Sequence, residues 1–483
     1  MLTFEPYSFD ALKKVQPYIS KCPYLCSNLS LGYLFMWQEG ADVQFCVWHD
    51  TFVVREDVGE QPAFSWPYGS DVKGMIEELL AYTHENNLPL RFFAVNADTL
   101  AAIHEGGYFP SLMAATDARW SDYLYAFEDA AAFKGKKFSG QRNHINKFRR
   151  LYGEPCVRFL ESDDRPRIRE LLDKYEAEHA GGNALERMEL KATRQLLEKY
   201  DELGLLAACL LVEDEIVAFS IGEIVGDMLI IHVEKALTRY EGVYPTMYNS
   251  FVRLIGENAG RPLRFVNRED DSGDPGLRTS KRQYHPIGMV DKYLIHVDAP
   301  AAQLQALPVL QAGNVVLTEI REEDRSAYLR LNTDVENNRW WGYDYREDPF
   351  ITGPIDENTF YNFVQYDMRV GDSINFAIRE SKDGEMIGEG ILWRFTENSF
   401  VEAGLRLMPE YHGKGYSKGA YGALVNFAES MGMKVVARCF LPNLPSYRMI
   451  TGNGFKVVNQ DETYYYFEKP LSVAARQSMK VCG

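Results

Sequence analysis

The segment Leu405–Ala428, LRLMPEYHGKGYSKGAYGALVNFA, gathers the residue types that handle a phosphate. Its centre is His412-Gly413-Lys414-Gly415-Tyr416-Ser417. Upstream, the alternation of Val401–Leu407 predicts a strand. Downstream, the apolar spacing of Lys418–Met431 predicts a helix that ends before Gly432. A glycine-rich turn at such a junction places several backbone N–H groups at a helix N-terminus, where the dipole favours an anion. Glycine lets the backbone come close to the ligand. Two other phosphate motifs do not fit. A dinucleotide fingerprint needs glycine where Lys418 stands, and a Walker A loop needs a Gly-Lys-Ser/Thr that is absent. A glycine turn with no ligand is the remaining alternative on this segment alone.

Two further segments carry concentrated charge. Phe133–Arg150, FKGKKFSGQRNHINKFRR, holds Lys134, Lys136, Lys137, Arg142, Lys147, Arg149 and Arg150 with no acid. In a chain of net charge −17 this is a local positive field, suited to RNA or simply a solvated helix face. Val266–Tyr293 packs Asn267, Arg268, Glu269, Asp270, Asp271 and Lys281 into a short run. It lacks the sixth-position glycine and twelfth-position glutamate of an EF-hand loop. Cys22 and Cys26 form a CxxxC with no second pair nearby, so they read as structural and no metal is expected.

The elements that must position these residues repeat. FCVWHDTFVV around Asp50, AACLLVEDEIVAFSIGEI around Asp214 and FAIRESKDGEMIGEGIL around Asp383 each read as two apolar runs around a polar turn, the pattern of a β-hairpin. Their near-equal spacing suggests three copies of one α/β unit. Asp164–His179 and Glu322–Thr333 are amphipathic helical patterns with acidic first turns, each preceding a hairpin. Ala299–Thr318 contains no charged residue and reads as a linker. With 46 % hydrophobic and 25 % charged residues, the composition excludes dominant disorder. The longest purely apolar stretch, near Leu205–Val212, is far shorter than the roughly 20 residues that span a bilayer. The N-terminus shows no secretory signal pattern, so reduced cysteines and a cytoplasmic location are expected. Net acidity argues against general nucleic-acid or lipid binding.

Beyond the glycine loop the chain reads PNLPSYRMITGNGF. Asn443, Ser446, Gly454 and Phe455 resemble the N-x-x-[AS]…G-F signature of the GCN5-related N-acetyltransferases (GNAT family). His412-x-x-Gly415-x-Ser417 occupies that family's [QR]-x-x-G-x-[GA] acyl-CoA motif, with His and Ser as departures. TEIREEDRSAYLRLNTDVENNRWWG looks like the opening of the branch that acetylates protein N-termini. The resemblance covers about 315–470. It implies acetyl-CoA as co-substrate, with its pyrophosphate on the amides of Gly413, Lys414, Gly415, Tyr416, Ser417 and Lys418. Main-chain groups of Leu405 and Leu407 would align the pantetheine, and Asn443 would assist at the cofactor and in catalysis. A neutral amine would attack directly, with Glu402 as base. A tyrosine that many members use to protonate the thiolate is replaced by Ile450, so Ser446 is the expected donor. Trp340, Trp341, Tyr343 and Asp344 would face a small-molecule or peptide amine acceptor.

The N-terminal part resembles a second family, related to the C-terminal domain of phosphatidylglycerol lysyltransferases. The matching pieces are RNHINKF (Arg142–Phe148), HVEKA (His232–Ala236), EGVYPTMYNSF (Glu241–Phe251) and the NRED…GLR…K…Y…P run. Such proteins fold as two GNAT-like units side by side. The expected fold is therefore α/β (α+β) with three GNAT-like units: 1–132, 133–298, a linker 299–313, a GNAT domain 314–470 and a tail 471–483. The resemblance leaves two roles open for the N-terminal block: aminoacyl transfer from a charged tRNA held at 134–150, or recognition without catalysis. Glu234, Lys235, Asn249, Asn267, Asp270, Asp271 and Lys281 are its cleft candidates, with a buried salt-bridge network as the alternative.

Overall fold

The computed structural model describes residues 2–19, 26–38, 41–59, 61–179, 182–348, 351–396 and 399–470. Cys22 and the expected 471–483 tail lie outside the described residues. The three predicted hairpins are present. Trp48 pairs with Thr51 across His49-Asp50, and both turn residues have positive φ, as a two-residue turn between twisted strands requires. Val212 pairs with Glu215 across Glu213-Asp214. Ser373–Arg379 pairs antiparallel with Met386–Trp393.

Each hairpin belongs to its own mixed sheet, and the three sheets share one plan. A run of antiparallel strands ends on a strand that pairs in parallel with the next, and two antiparallel strands complete the sheet. The parallel steps are Gln61–Ser65 beside Arg91–Val95, Met228–Ala236 beside Phe265–Asn267, and Phe400–Leu407 beside Lys434–Phe440. Parallel neighbours need a crossover, supplied by the helices Val72–Asn86, Val243–Asn258 and Tyr416–Ser430. The protein is thus α/β, with an N-terminal tandem block and a C-terminal unit.

The first two units exchange a strand. Asp122–Ala126 lies in the second sheet, between Phe265–Asn267 and Gly288–Val290. Tyr293–Val297 lies in the first sheet, between Arg91–Val95 and Leu112–Thr116. Their shared core joins Leu12, Val15, Leu34 and Phe45 to Leu171, Leu196, Phe219 and Val233. The chain therefore crosses between these sheets on both sides of the expected 132/133 boundary. The charge-free stretch is partly built into the third sheet: Leu310–Ala312 pairs with Val315–Thr318, and Ala301, Leu304 and Leu307 pack on the third core.

The third unit docks on the first. Arg91, almost fully buried, donates to Asp372 Oδ2 at 2.7 Å, and His296 Nδ1 lies 3.3 Å from the same carboxylate. Nearby, the Arg119 guanidinium covers Phe363 at 4.3 Å. Replacing Asp372 with Ala strands a buried guanidinium. It is expected to destabilise the protein by about 3 kcal/mol, measured by urea unfolding. A change below about 0.5 kcal/mol would mean that the junction does not depend on this pair.

Candidate active site

In the third unit the parallel ladder is short. Phe400, Val401 and Glu402 pair with Lys434, Val435 and Val436, and the register ends there. Phe400–Leu407 continues beside Met386–Trp393 only. The Met408 amide donates to Ile387 O, so by alternation the main-chain groups of Ala403, Leu405 and Leu407 face the opening between the parting strands. The Leu407 carbonyl accepts from His412 Nε2 at 3.0 Å and Asn337 Nδ2 at 2.9 Å. The Ala403 carbonyl accepts from the Tyr421 hydroxyl. Leu405 has no ladder partner on that side.

The glycine loop leads from this opening into the Tyr416–Ser430 helix. Gly413 and Gly415 have φ of +75° and +82°, and no atom lies within 4 Å of where a Cβ would stand on either. Gly415 is the N-cap and offers no side chain, so the first-turn amides have no cap. The other crossover helices differ. Asp71 caps Val72–Asn86 with its own carboxylate, accepting from Gly74 N at 2.9 Å. Gly242 begins Val243–Asn258, but a Cβ there would lie 2.3 Å from the His144 carbonyl, on the helix Ser139–Tyr152. Among the three crossover helices, only the third has an open N-terminus. Lys414 and Lys418 are exposed beside it, with the Lys414 ammonium 4.5 Å over the Tyr411 ring. Ser417 is half-buried, and Tyr416 bonds Glu380 through its hydroxyl.

On one face of the Phe400–Leu407 strand stand Glu402, Gly404 and Arg406. Glu402 accepts from Arg394 and Arg438, each at 3.1 Å and each on a different oxygen. Trp341 lies on Gly404, where a Cβ would meet its ring at 2.8 Å, and stacks on Trp393 at 5.8 Å. Arg406 holds Trp341 from below and is fixed by Glu389, Asn332 and Asn338. Trp340 reaches Phe440 edge-on, and Phe440 packs on Tyr464. Tyr343 and Asp344 point elsewhere. Tyr343 bonds Asp348, and Asp344 is held down to about 2 by hydrogen bonds from Arg346. Asn443 caps the Leu444–Thr451 helix, accepting from Ser446 N at 3.2 Å, while the Ser446 hydroxyl makes no hydrogen bond among the described residues. The buried Glu389–Arg406–Asn338 network was not legible beforehand, because its members are far apart in sequence and none sits in a motif.

The N-terminal candidates divide into separate groups. Asn249 donates to Ala130 O and Ala131 O, and Asp271 is held by Arg278 and Tyr123. Lys235 pairs with Glu189 at 2.6 Å, on the opposite face of its strand from the Glu234–Arg268 pair. Lys281 donates to the carbonyls of Arg268 and Asp270. At the junction of the two units, Lys292 lies 2.6 Å from Asp122 and 3.4 Å from Asp270, and Asn267 donates to Asp122. Beside them the buried His232 sits between Glu223, at 3.0 Å, and Glu269, at 2.8 Å. Gly32 is packed onto that ring so closely that a Cβ would overlap it. His232, Glu223, Asp122 and Lys292 were not among the expected candidates, since single ionisable residues in apolar strands carry no spacing signal. Of the basic segment, Lys137, Lys147 and Arg149 are ion-paired with Asp129, Glu241 and Glu154, and Arg142 donates to the carbonyls of Phe133 and Gly135. Cys26 is buried with a free thiol. Among the described residues no cluster is placed to hold a metal ion, and no helix is long and apolar enough to cross a membrane.

Comparison with known proteins follows this division. Residues 24–296, more than half of the chain, match the family described as phosphatidylglycerol lysyltransferase, C-terminal. The chain belongs to this family. Residues 314–456 match the acetyltransferase (GNAT) domain, so the third unit of this family member is an acyl-transfer domain. A conserved protein of unknown function from Bacteroides thetaiotaomicron is 28 % identical, with a TM-score of 0.56, and covers 62 % of this chain and 100 % of its own. An acetyltransferase of the GNAT family from Bacillus anthracis is 19 % identical over 33 % of this chain and 96 % of its own, with a TM-score of 0.28. An uncharacterized protein of Mycoplasmoides gallisepticum is 22 % identical over 185 residues, and this chain covers 56 % of that relative's length.

The His232 site makes a pH dependence. Burial disfavours the imidazolium, but the hydrogen bonds it donates to the carboxylates of Glu223 and Glu269 outweigh it and raise the group to about 9. A raised group stabilises the fold fully below its ordinary value of 6.5, and that contribution is lost as pH rises through 9. Stability is therefore expected to fall by on the order of 2–3 kcal/mol between these values. The His232 ring protons should titrate near 9 by NMR, and His232→Gln should flatten the slope. A ring that titrates near 6.5 would refute this assignment.

Proposed function

We propose that the third unit transfers an acetyl group from acetyl-CoA to a primary amine. The observation that carries this reading is the open N-terminus of the Tyr416–Ser430 helix, beside a strand whose Leu405 main-chain groups face the parting of the sheet. The amides of Gly413–Lys418 would take the pyrophosphate, with Lys414 and Lys418 adding charge. Leu405, with the amide of Leu407, would align the pantetheine and donate to the oxyanion.

A small-molecule or peptide amine would enter over Trp341 and Trp393, on the face that carries Glu402. The amine nitrogen attacks the thioester carbonyl and the C–S bond breaks. Glu402 takes the amine proton, the Ser446 hydroxyl donates a hydrogen bond to the departing thiolate, and a proton from solvent completes the free thiol. The arginines on Glu402 hold its carboxylate toward the aromatic face; Asn443 acts on Ser446 by capping its helix.

Gly415→Glu puts a negative side chain into the space before the helix and asks it to adopt a positive φ. Calorimetry is expected to find acetyl-CoA binding to the wild type, weakened more than tenfold in this variant. Absence of binding to the wild type would refute the reading. With acetyl-CoA turnover established on an amine panel, Glu402→Gln should lower kcat about 100-fold or more with little change in KM for acetyl-CoA. An unchanged kcat would remove Glu402 from the role of base.

A further inference from the structure

On the face of the third sheet that carries Glu402, a circuit of side chains closes on itself. Trp393 stands opposite Glu402, Glu402 pairs with Val436, and Arg438 and Phe440 follow Val436 at alternate positions, so all project from one face. Tyr464 stands opposite Phe440 and joins them. The apolar side runs from Trp393 to Trp341 at 5.8 Å, then from its chain neighbour Trp340 to Phe440 at 6.4 Å, and on to Tyr464 at 4.5 Å. The polar side completes the circuit. The Arg438 guanidinium lies 5.1 Å over the Tyr464 ring, and its Nε is 3.1 Å from Glu402 Oε1. Arg394 donates to Glu402 Oε2 and lies 5.4 Å over the Trp393 ring.

Trp341, Trp393, Arg394, Arg438, Phe440 and Tyr464 are all half-buried, so the circuit is an open cup and not a packed core. Trp341 seats on Gly404, next to Leu405, whose main chain would align the thioester. An amine arriving at that carbonyl is therefore surrounded by the cup. Glu402 is the only carboxylate in the circuit, and it already lies between Arg394 and Arg438. The acids nearby are engaged as well: Asp344 is held by Arg346, Asp348 by the Tyr343 hydroxyl and Asp461 by the Tyr466 hydroxyl. A polyamine would thus meet guanidiniums where it needs acids.

Arg438 is the member with capacity left. Its side chain is 25 % exposed, and its Nη1 and Nη2 make no hydrogen bond among the described residues. A guanidinium presents a planar fork that takes a carboxylate through two parallel bonds. The Arg438–Glu402 contact also limits the ligand. An amine that gives its proton to Glu402 and a carboxylate held on Arg438 meet the two ends of a 3.1 Å contact, so only a short carbon link separates them.

We propose that Arg438 binds a carboxylate of the acceptor, so that the amine acetylated by the third unit carries an acid close to it. This rests on the acetyl-transfer reading and adds the class of acceptor. A free amino acid and a peptide that begins with aspartate share this chemistry. The test measures thiol release from acetyl-CoA by the full chain with matched pairs: L-leucine against L-leucinamide, and the dipeptide amide Asp-Ala against Asn-Ala, with spermidine as the polycation. Within each pair the carboxylate holds the amine protonated. Intrinsic reactivity therefore favours the uncharged member, and a reversed preference reports the site. An acid is expected to exceed its amide about tenfold or more in kcat/KM, mainly through KM. A preference in the leucine pair assigns a free amino acid; one confined to the dipeptides assigns a peptide terminus. Arg438→Gln should make the members of the preferred pair roughly equal, and Arg438→Lys, which keeps the charge without the fork, should restore part of the difference. Absence of acetyl-CoA binding to the wild type would remove the acetyl-transfer reading and this one with it. With acetyl-CoA bound, this inference alone is overturned if neither acid is acetylated, if no acid exceeds its amide, if spermidine matches the acids, or if the preference survives Arg438→Gln. The wild-type pairs decide the matter should a variant fail to fold.

Discussion

The constraint on which the molecule depends is the short parallel step in each sheet. Antiparallel strands can pair along their length, but a parallel neighbour must return through a crossover helix. In the second and third units that pairing lasts three residues before the strands part. Parting leaves main-chain donors and acceptors without ladder partners, and such groups must be satisfied. What fills the gap then decides the chemistry. In the first unit Trp66 packs on Phe92 and Tyr108 beside the step, and Asp71 caps the helix. In the second, Arg268 and Glu234 bridge it. In the third, the gap and the helix end both stay open.

This explains how one architecture supports unequal roles. A helix N-terminus attracts an anion only while its amides are accessible. An aspartate cap or a neighbouring carbonyl removes that access without changing the fold. Differences of local detail at equivalent positions, Asp71, Gly242 and Gly415, therefore separate a capped helix start, one packed against a neighbouring carbonyl and one with open space beside it.

The sequence disclosed what local chemistry controls. The hairpins at Asp50 and Asp214 were legible because a two-residue turn needs particular backbone angles. The loop at Gly413–Gly415 was legible because positive φ favours glycine. The strand exchange was hidden, since Asp122–Ala126 and Tyr293–Val297 look alike as alternating segments and only long-range pairing says which sheet each joins. The stretch after Ala299 looked like a linker because it has no charge, yet absence of charge also marks burial, and part of it is a strand. Glu402 could be placed on its strand, but not the two arginines that hold it, which come from a strand end and from a strand reached only after the crossover.

The exchange also sets what can move. Each of the first two sheets contains a strand supplied by chain that otherwise serves the other, and one core runs through both. Parting the chain between its first and second units would break four strand pairings and open that core, so they form a single folding block. The third unit keeps its sheet to itself, but Val370 and Tyr366 of its helix Glu357–Val370 pack into the core of the N-terminal block. Its attachment includes Arg91 and His296 on Asp372, the Arg119–Phe363 contact, and a bond from Gln61 to the Phe395 carbonyl. Phe395 follows Trp393 and Arg394 at the end of the strand beside Glu402. The first unit thus touches the backbone just beyond the aromatic face of the candidate acyl-transfer site, and the second touches the third unit where the Thr352 hydroxyl donates to the Ser272 carbonyl at 2.9 Å. The seam therefore combines apolar packing with buried charges, and the charges at Arg91, His296 and Asp372 resist sliding more than the apolar contact alone would.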